Sequence, residues 1–184
     1  MTMLASRAQL RGLFLRRALF IVPAVLLLGF LSGRLANSGP GNDWFAALVK
    51  PSIYPPPAAF GIVWSILYVL IGLAAAMVAA AYGARGRSGA LVLFVVQLAV
   101  NLAWTPVFFG LHRMTWALGV IALLDVLVIV TTIAFWRVRW LAGALLLPYL
   151  AWILFATALN YQFLAANPGA DGVDSSGAAA RLAI

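Results

Sequence analysis

Long apolar runs separated by short polar breaks dominate this chain. Five stretches qualify: Ala18–Gly33, Ala58–Tyr82, Gly89–Leu111, Met114–Trp136 and Trp140–Phe163, with Asp125 the one formal charge inside them. A helix crossing the hydrocarbon needs about 20 apolar residues, and four of the five reach that length. The first is short at sixteen residues, but Arg16, Arg17 and Arg34 can snorkel from its ends. The pattern predicts an all-α integral membrane protein, a five-transmembrane-helix bundle. The breaks Gly83–Ser88, His112–Arg113 and Arg137–Arg139 are so short that consecutive helices must be antiparallel neighbours. The first span has a rival reading as a cleavable leader, since basic residues precede its apolar core. Gly29-x-x-x-Gly33 favours a retained helix, because paired small residues let membrane helices pack closely.

Outside the spans, the pattern predicts a basic N-terminal arm over residues 1–17, a loop over 34–57 and a disordered Gly/Ser/Asp/Ala tail over 167–184, flanking a transmembrane domain of 18–166. The 34–57 loop is no simple tether. Pro51, Pro55, Pro56 and Pro57 each lack an amide donor and fix φ, and each pushes its predecessor toward extended geometry. A stiff, aromatic-flanked flap over the end of the bundle follows, with Asp43 expected to cap a short helical turn Trp44–Val49. Such a flap points to a lidded ligand pocket.

Composition agrees with the apolar runs. At 65% apolar and 9% charged residues, the chain is unlike a soluble domain, which carries about 25% charged residues. The net charge of +8 does not imply a nucleic-acid partner, because the basic residues gather at span boundaries. Arg7, Arg11, Arg16, Arg17, Arg85, Arg87, Arg137 and Arg139 fall on the side of the N-terminus. Arg34, Lys50, Arg113 and Arg181 fall on the other, diluted by Asp43, Asp171 and Asp174. The positive-inside rule then predicts a cytoplasmic N-terminus, with the flap and C-terminus opposite. There is no cysteine, which removes disulfide, thiol and iron–sulfur chemistry.

Polar side chains at membrane depth need an internal partner or a task. Gln97, Asn101, Trp104 and Phe108 share one helical face, as do Trp64 and Tyr68, and Tyr149, Trp152, Ala156 and Asn160. Pro148 is expected to kink the last helix. Three stripes of rings, phenols and amides would converge on a cavity for a flat, largely apolar ligand. The competing reading makes Gln97 and Asn101 interhelical glue, and Trp44, Trp116, Trp136 and Trp140 an interfacial belt. Asp125, lone in mid-span, reads as a hydrogen-bonded packing residue before proton handling or ligand contact. His112, the one histidine, reads as a turn residue, with axial ligation of a haem at the pocket mouth as its functional alternative.

Five motifs now stand in order: W-F-x-x-L-x-K-P-S-x-x-P-P from Trp44, F-G-x-V-W-x-x-L-Y from Phe60, N-L-A-W-T-P-V-F-F-G from Asn101, D-x-L-V from Asp125 and L-P-Y-L-x-W from Leu147. From Trp44 to about Phe163 the chain resembles the TspO/MBR family of tryptophan-rich sensory and translocator proteins. The resemblance implies a pocket under the first loop for porphyrins, protoporphyrin IX and haem among them, and frequent homodimers. By motif position the pocket would include Phe45, Pro55, Pro56, Trp64, Asn101, Trp104, Tyr149, Trp152 and Ala156. The residue stripes add Tyr68 and Gln97. Ile53 stands where many relatives have tryptophan and Phe45 where tyrosine is frequent, so a stacking ring and a phenol are expected to be missing. The sterol-recognition pattern of animal relatives is also missing, because no basic residue follows Tyr161 before Arg181.

The sequence therefore points to a membrane tetrapyrrole-binding protein that senses, sequesters or moves porphyrin, requires no resident cofactor or metal, and has the bilayer and a second copy of itself as partners. The alternative, which the resemblance implies, is a light-dependent porphyrin-degrading enzyme that uses Trp64 and Trp152.

Overall fold

A computed structural model describes residues 7–173. It contains helices α1 (Arg7–Leu35), α2 (Asp43–Ala47), α3 (Pro57–Ala79), α4 (Arg87–Thr105), α5 (Met114–Val138) and α6 (Trp140–Ala166). A π-type turn (Pro106–Gly110) extends α4, and one 3₁₀ turn (Pro168–Ala170) follows α6. All except α2 and the two turns are long and apolar enough to cross a membrane, with the π-type turn completing the third crossing. The chain is an integral, multi-pass helical membrane protein. The helices form a closed ring in the order α1, α3, α6, α5, α4, with α4 returning to α1.

Small residues set the closest approaches. A Cβ at Gly72 on α3 would lie 2.9 Å from the Val22 Cα on α1, so only glycine permits that crossing. A Cβ at Gly29 would overlap the Tyr68 ring, so this glycine of α1 is consumed inside the bundle. Ser32 adds a hydrogen bond from its hydroxyl to the Leu102 carbonyl, 2.7 Å away. The first span is thus built into the bundle. In the turn between α3 and α4, Gly83 (φ 76°) and Gly86 (φ 79°) adopt the left-handed conformation that other residues resist.

Three expected boundaries move. Residues 7–17 are the opening turns of α1, because Ala, Leu, Gln and Arg are strong helix formers and no proline intervenes before Pro23, and 1–6 lie outside the described residues. The cap of the flap helix is Asn42 instead of Asp43; its Oδ1 accepts from the Phe45 N–H at 2.9 Å. Residues 167–173 pack instead of trailing away, and 174–184 lie outside the described residues. Asn167 explains the packing. Its Oδ1 accepts from the Val49 N–H at 2.7 Å, while its Nδ2 donates to the Val49 carbonyl at 3.0 Å and the Phe163 carbonyl at 2.9 Å. One amide thereby ties the end of α6 to the flap.

Candidate functional site

Beneath the flap the ring of helices encloses a cavity of about 820 Å³. Each long helix contributes to its wall, and the pattern of residues explains how. On α3, Phe60, Trp64 and Tyr68 recur every four residues and face inward together. On α4 and the π-type turn that extends it, Asn101, Trp104 and Phe108, spaced three and four apart, face inward as well. The π-type turn then widens the backbone, marked by the Leu111 N–H reaching the Pro106 carbonyl at 2.9 Å. That turn brings Phe109 to the wall beside Phe108. From α6 come Trp152, Ala156, Asn160 and Phe163, and from the flap Phe45 and Tyr54.

The rings hold each other in place. Trp104 stacks on Phe108 with centroids 5.0 Å apart, and its indole N–H donates to Asn160 Oδ1 at 3.1 Å. Asn160 in turn donates to the Met114 carbonyl at 3.1 Å, which fixes its amide. Trp64 lies 5.1 Å from Tyr68, and Trp152 meets Phe60 edge-on at 5.8 Å. The Trp152 indole N–H is buried with no partner, a donor in want of an acceptor.

A polar chain leads away from the wall into the core. The Tyr68 hydroxyl donates to Asn101 Oδ1 at 3.4 Å, Asn101 Nδ2 donates to the Tyr149 hydroxyl at 3.0 Å, and that hydroxyl donates to Gln97 Oε1 at 2.9 Å. The chain ends there, because Gln97 Nε2 finds no partner.

Above the cavity, the flap is braced from two directions. Asn42 Nδ2 donates to the Phe109 carbonyl at 3.1 Å, joining the start of α2 to the π-type turn. The Lys50 ammonium donates to the carbonyls of Phe45 and Leu48 and lies 4.4 Å from the Phe45 ring centroid. Burial lowers the pKa of this ammonium and raises that of the Tyr54 phenol.

Of the expected site residues, Phe45, Trp64, Tyr68, Asn101, Trp104, Trp152 and Ala156 line the cavity. Gln97 and Tyr149 do not; they are buried behind Asn101 as its support. Pro55 and Pro56 do not line it either, since the flap turns Tyr54 and Pro57 inward on either side of them. His112 sits in the break between the π-type turn and α5, as a turn residue. Its ring stacks on Trp44 at 4.7 Å and does not line the cavity. Trp44 is corrected: it is 1% exposed and donates its indole N–H to the Ala170 carbonyl at 3.1 Å, whereas Trp116, Trp136 and Trp140 are exposed as a belt requires. Ile53 is exposed on the flap and does not line the cavity. Asp125 accepts from the Thr157 hydroxyl at 2.8 Å between α5 and α6, while its other oxygen is buried without a partner.

Phe60 and Phe163 were within reach of the stripes, one turn beyond Trp64 and Asn160 respectively. Phe109 was not, because only the π-type turn brings it in. Tyr54 and Arg34 lie on irregular or terminal backbone and had no periodic signal.

Comparison with known proteins completes the description. The sequence profile of the TspO/MBR family matches residues 20–165. Protein CrtK of Rhodobacter capsulatus is 42% identical over 127 residues, covering 68% of this chain and 79% of its own length. The translocator protein of Homo sapiens is 40% identical over 144 residues, 77% of this chain and 85% of its own. The tryptophan-rich sensory protein of Cereibacter sphaeroides is 40% identical over 126 residues, 68% and 78% respectively.

Proposed function

The chain belongs to the TspO/MBR family, and from that premise we propose that it is a tetrapyrrole-binding membrane protein that senses, sequesters or moves porphyrin. The observation that carries this reading is the convergence of Trp64, Trp104 and Trp152, from three helices, on one cavity of about 820 Å³. That volume falls in the ~300–1,000 Å³ range of small-molecule sites. Indole faces favour stacking on an extended π-system, and Phe, Tyr, Leu and Ile side chains supply most of the remaining large apolar surface of the wall. The lining contains no histidine and no cysteine, so the reading requires metal-free protoporphyrin IX to bind at least as well as haem. Fluorescence-quenching titration of both ligands into detergent-solubilised protein tests this. A large preference for haem would falsify the ring-stacking account.

The second reading is light-dependent oxidative breakdown of the bound porphyrin by dioxygen, with Trp64 and Trp152 as the redox-active indoles. What favours it is that both indoles line the same cavity. Under illumination, catalysis would bleach the Soret band faster than in protein-free micelles, and Trp64→Phe or Trp152→Phe would abolish the gain. Bleaching at the micelle rate leaves binding alone.

Two further expectations belong to this reading. The N-terminal end of α1 faces the cytoplasm, supported by the excess of arginine on that side. A second copy packs against α4, supported by Ala99 and Ala103, which are exposed one turn apart on its outer face while Gly29 is already occupied by Tyr68. Ala99→Leu with Ala103→Leu should convert a dimer to monomer in light scattering; unchanged mass would rule out this face.

A further inference from the structure

The ring-stacking account leaves one end of the cavity unused. Arg34, in the last turn of α1, lines the wall there, and Asn37 and Ser38 follow it on the connecting loop. Arg34 is the one formally charged residue in the lining, and no Asp or Glu accompanies it. Its guanidinium has no hydrogen bond, ion pair or ring contact among the described residues. Two other cations toward the flap are differently employed. Lys50 is engaged by carbonyls at the end of α2, and Arg113 lies over the Trp116 ring at 5.5 Å. At the far end, Arg17 and Arg87 both attend the Tyr82 ring.

A guanidinium offers five donors and no acceptor, and its fork matches a carboxylate. Placed at the exposed rim of an aromatic cavity, it can meet an anion without the cost of burying an unpaired charge. The cavity is thus two-ended: rings for an apolar body, and one cation with an amide and a hydroxyl for a charged edge. We propose that Arg34 selects anionic ligands, so that the ligand class is a planar apolar molecule carrying a carboxylate on one edge. This rests on the macrocycle reading above and narrows it, since neutral and cationic flat molecules of the same size should bind less well.

The test compares protoporphyrin IX with its uncharged dimethyl ester, titrated into the full chain in a neutral detergent with empty micelles as blank. Wild-type protein should prefer the diacid about three- to tenfold, the range of a partly exposed charge-assisted pair. Added salt should shrink that preference. Arg34→Gln should bring the two ligands to parity by weakening the diacid alone, and Arg34→Lys should keep part of the preference. Arg113→Gln, at the same end of the bundle but outside the lining, should behave as wild type. Equal binding of diacid and ester by wild type overturns the role of Arg34 and leaves the macrocycle reading intact. So does a loss in Arg113→Gln as large as in Arg34→Gln, which would assign the preference to diffuse positive charge. If neither porphyrin binds above the blank, the macrocycle reading itself fails.

Discussion

Toward the Gly83–Gly86 turn, the helices meet through small residues; toward the flap, the same helices are held apart by rings. Helix α3 shows the change along its own length. Its last turns bury Ala74, Ala75, Ala76 and Val78 against neighbours, and Gly72 lets α1 come into backbone contact. Its first turns present Phe60, Trp64 and Tyr68 to a void. Alanine and glycine interdigitate with almost no gap. Large planar side chains facing one another across a ring of helices instead leave a space of their own dimensions. Hollow and solid ends thus follow from side-chain shape along one helix, and the Tyr68–Asn101–Tyr149–Gln97 chain marks the level where one gives way to the other.

If the hollow end binds and the solid end merely holds, the two should fail independently. The largest effect is expected at the hollow end. Replacing Trp64, Trp104 and Trp152 together with leucine removes three stacking faces, each worth ~0.5–1.5 kcal/mol beyond its area. Porphyrin affinity should fall roughly ten- to a thousandfold by fluorescence titration, and the thermal midpoint should move far less. Undiminished affinity would place the binding surface elsewhere.

Gly72→Leu attacks the solid end. Its side chain meets the Val22 backbone, which cannot rotate away, so the overpacking penalty of about 1–3 kcal/mol applies. A fall of roughly 2–12 °C in the midpoint is expected, with porphyrin affinity nearly intact in protein that remains folded. Equal losses in both measurements would mean that the ends are coupled.

Asn101→Leu strikes the level between them. It leaves the Tyr68 hydroxyl unpaired and deprives the Tyr149 hydroxyl of its donor, at a cost of about 1–3 kcal/mol. Here stability and affinity should both suffer, because Asn101 lines the cavity and also holds the core. The smallest effect belongs to Asn167→Ala, which releases the flap from α6 at about 1 kcal/mol. Stopped-flow displacement should show faster porphyrin exchange with a smaller change in Kd; an unchanged exchange rate would mean that the flap is not the gate.

Much of this was legible in the order of residues. Five apolar runs could only become five crossing helices, since hydrocarbon offers a backbone no other hydrogen-bond partner. Helical spacing alone put Trp64 with Tyr68, and Asn101 with Trp104, on inward faces. Spacing fails where a residue on the correct face sits at the wrong depth. Gln97 shares the face of Asn101 but lies one turn into the solid end, so it supports the cavity without touching it. It fails also where the backbone is irregular. Pro55 and Pro56 carried the family motif, yet the flap turned Tyr54 and Pro57 inward instead.

What the sequence determined by itself was the membrane, the number of crossings and the stripes on three of the helices, because these depend on local period and on transfer out of water. Only the tertiary structure decided that Trp44 is buried under Ala170, that His112 stacks on an indole outside the cavity, that Asn167 holds the flap, and that Arg34 stands at the rim without a counter-charge. Each of these joins or opposes segments distant in the chain, and no local period encodes which of them will meet.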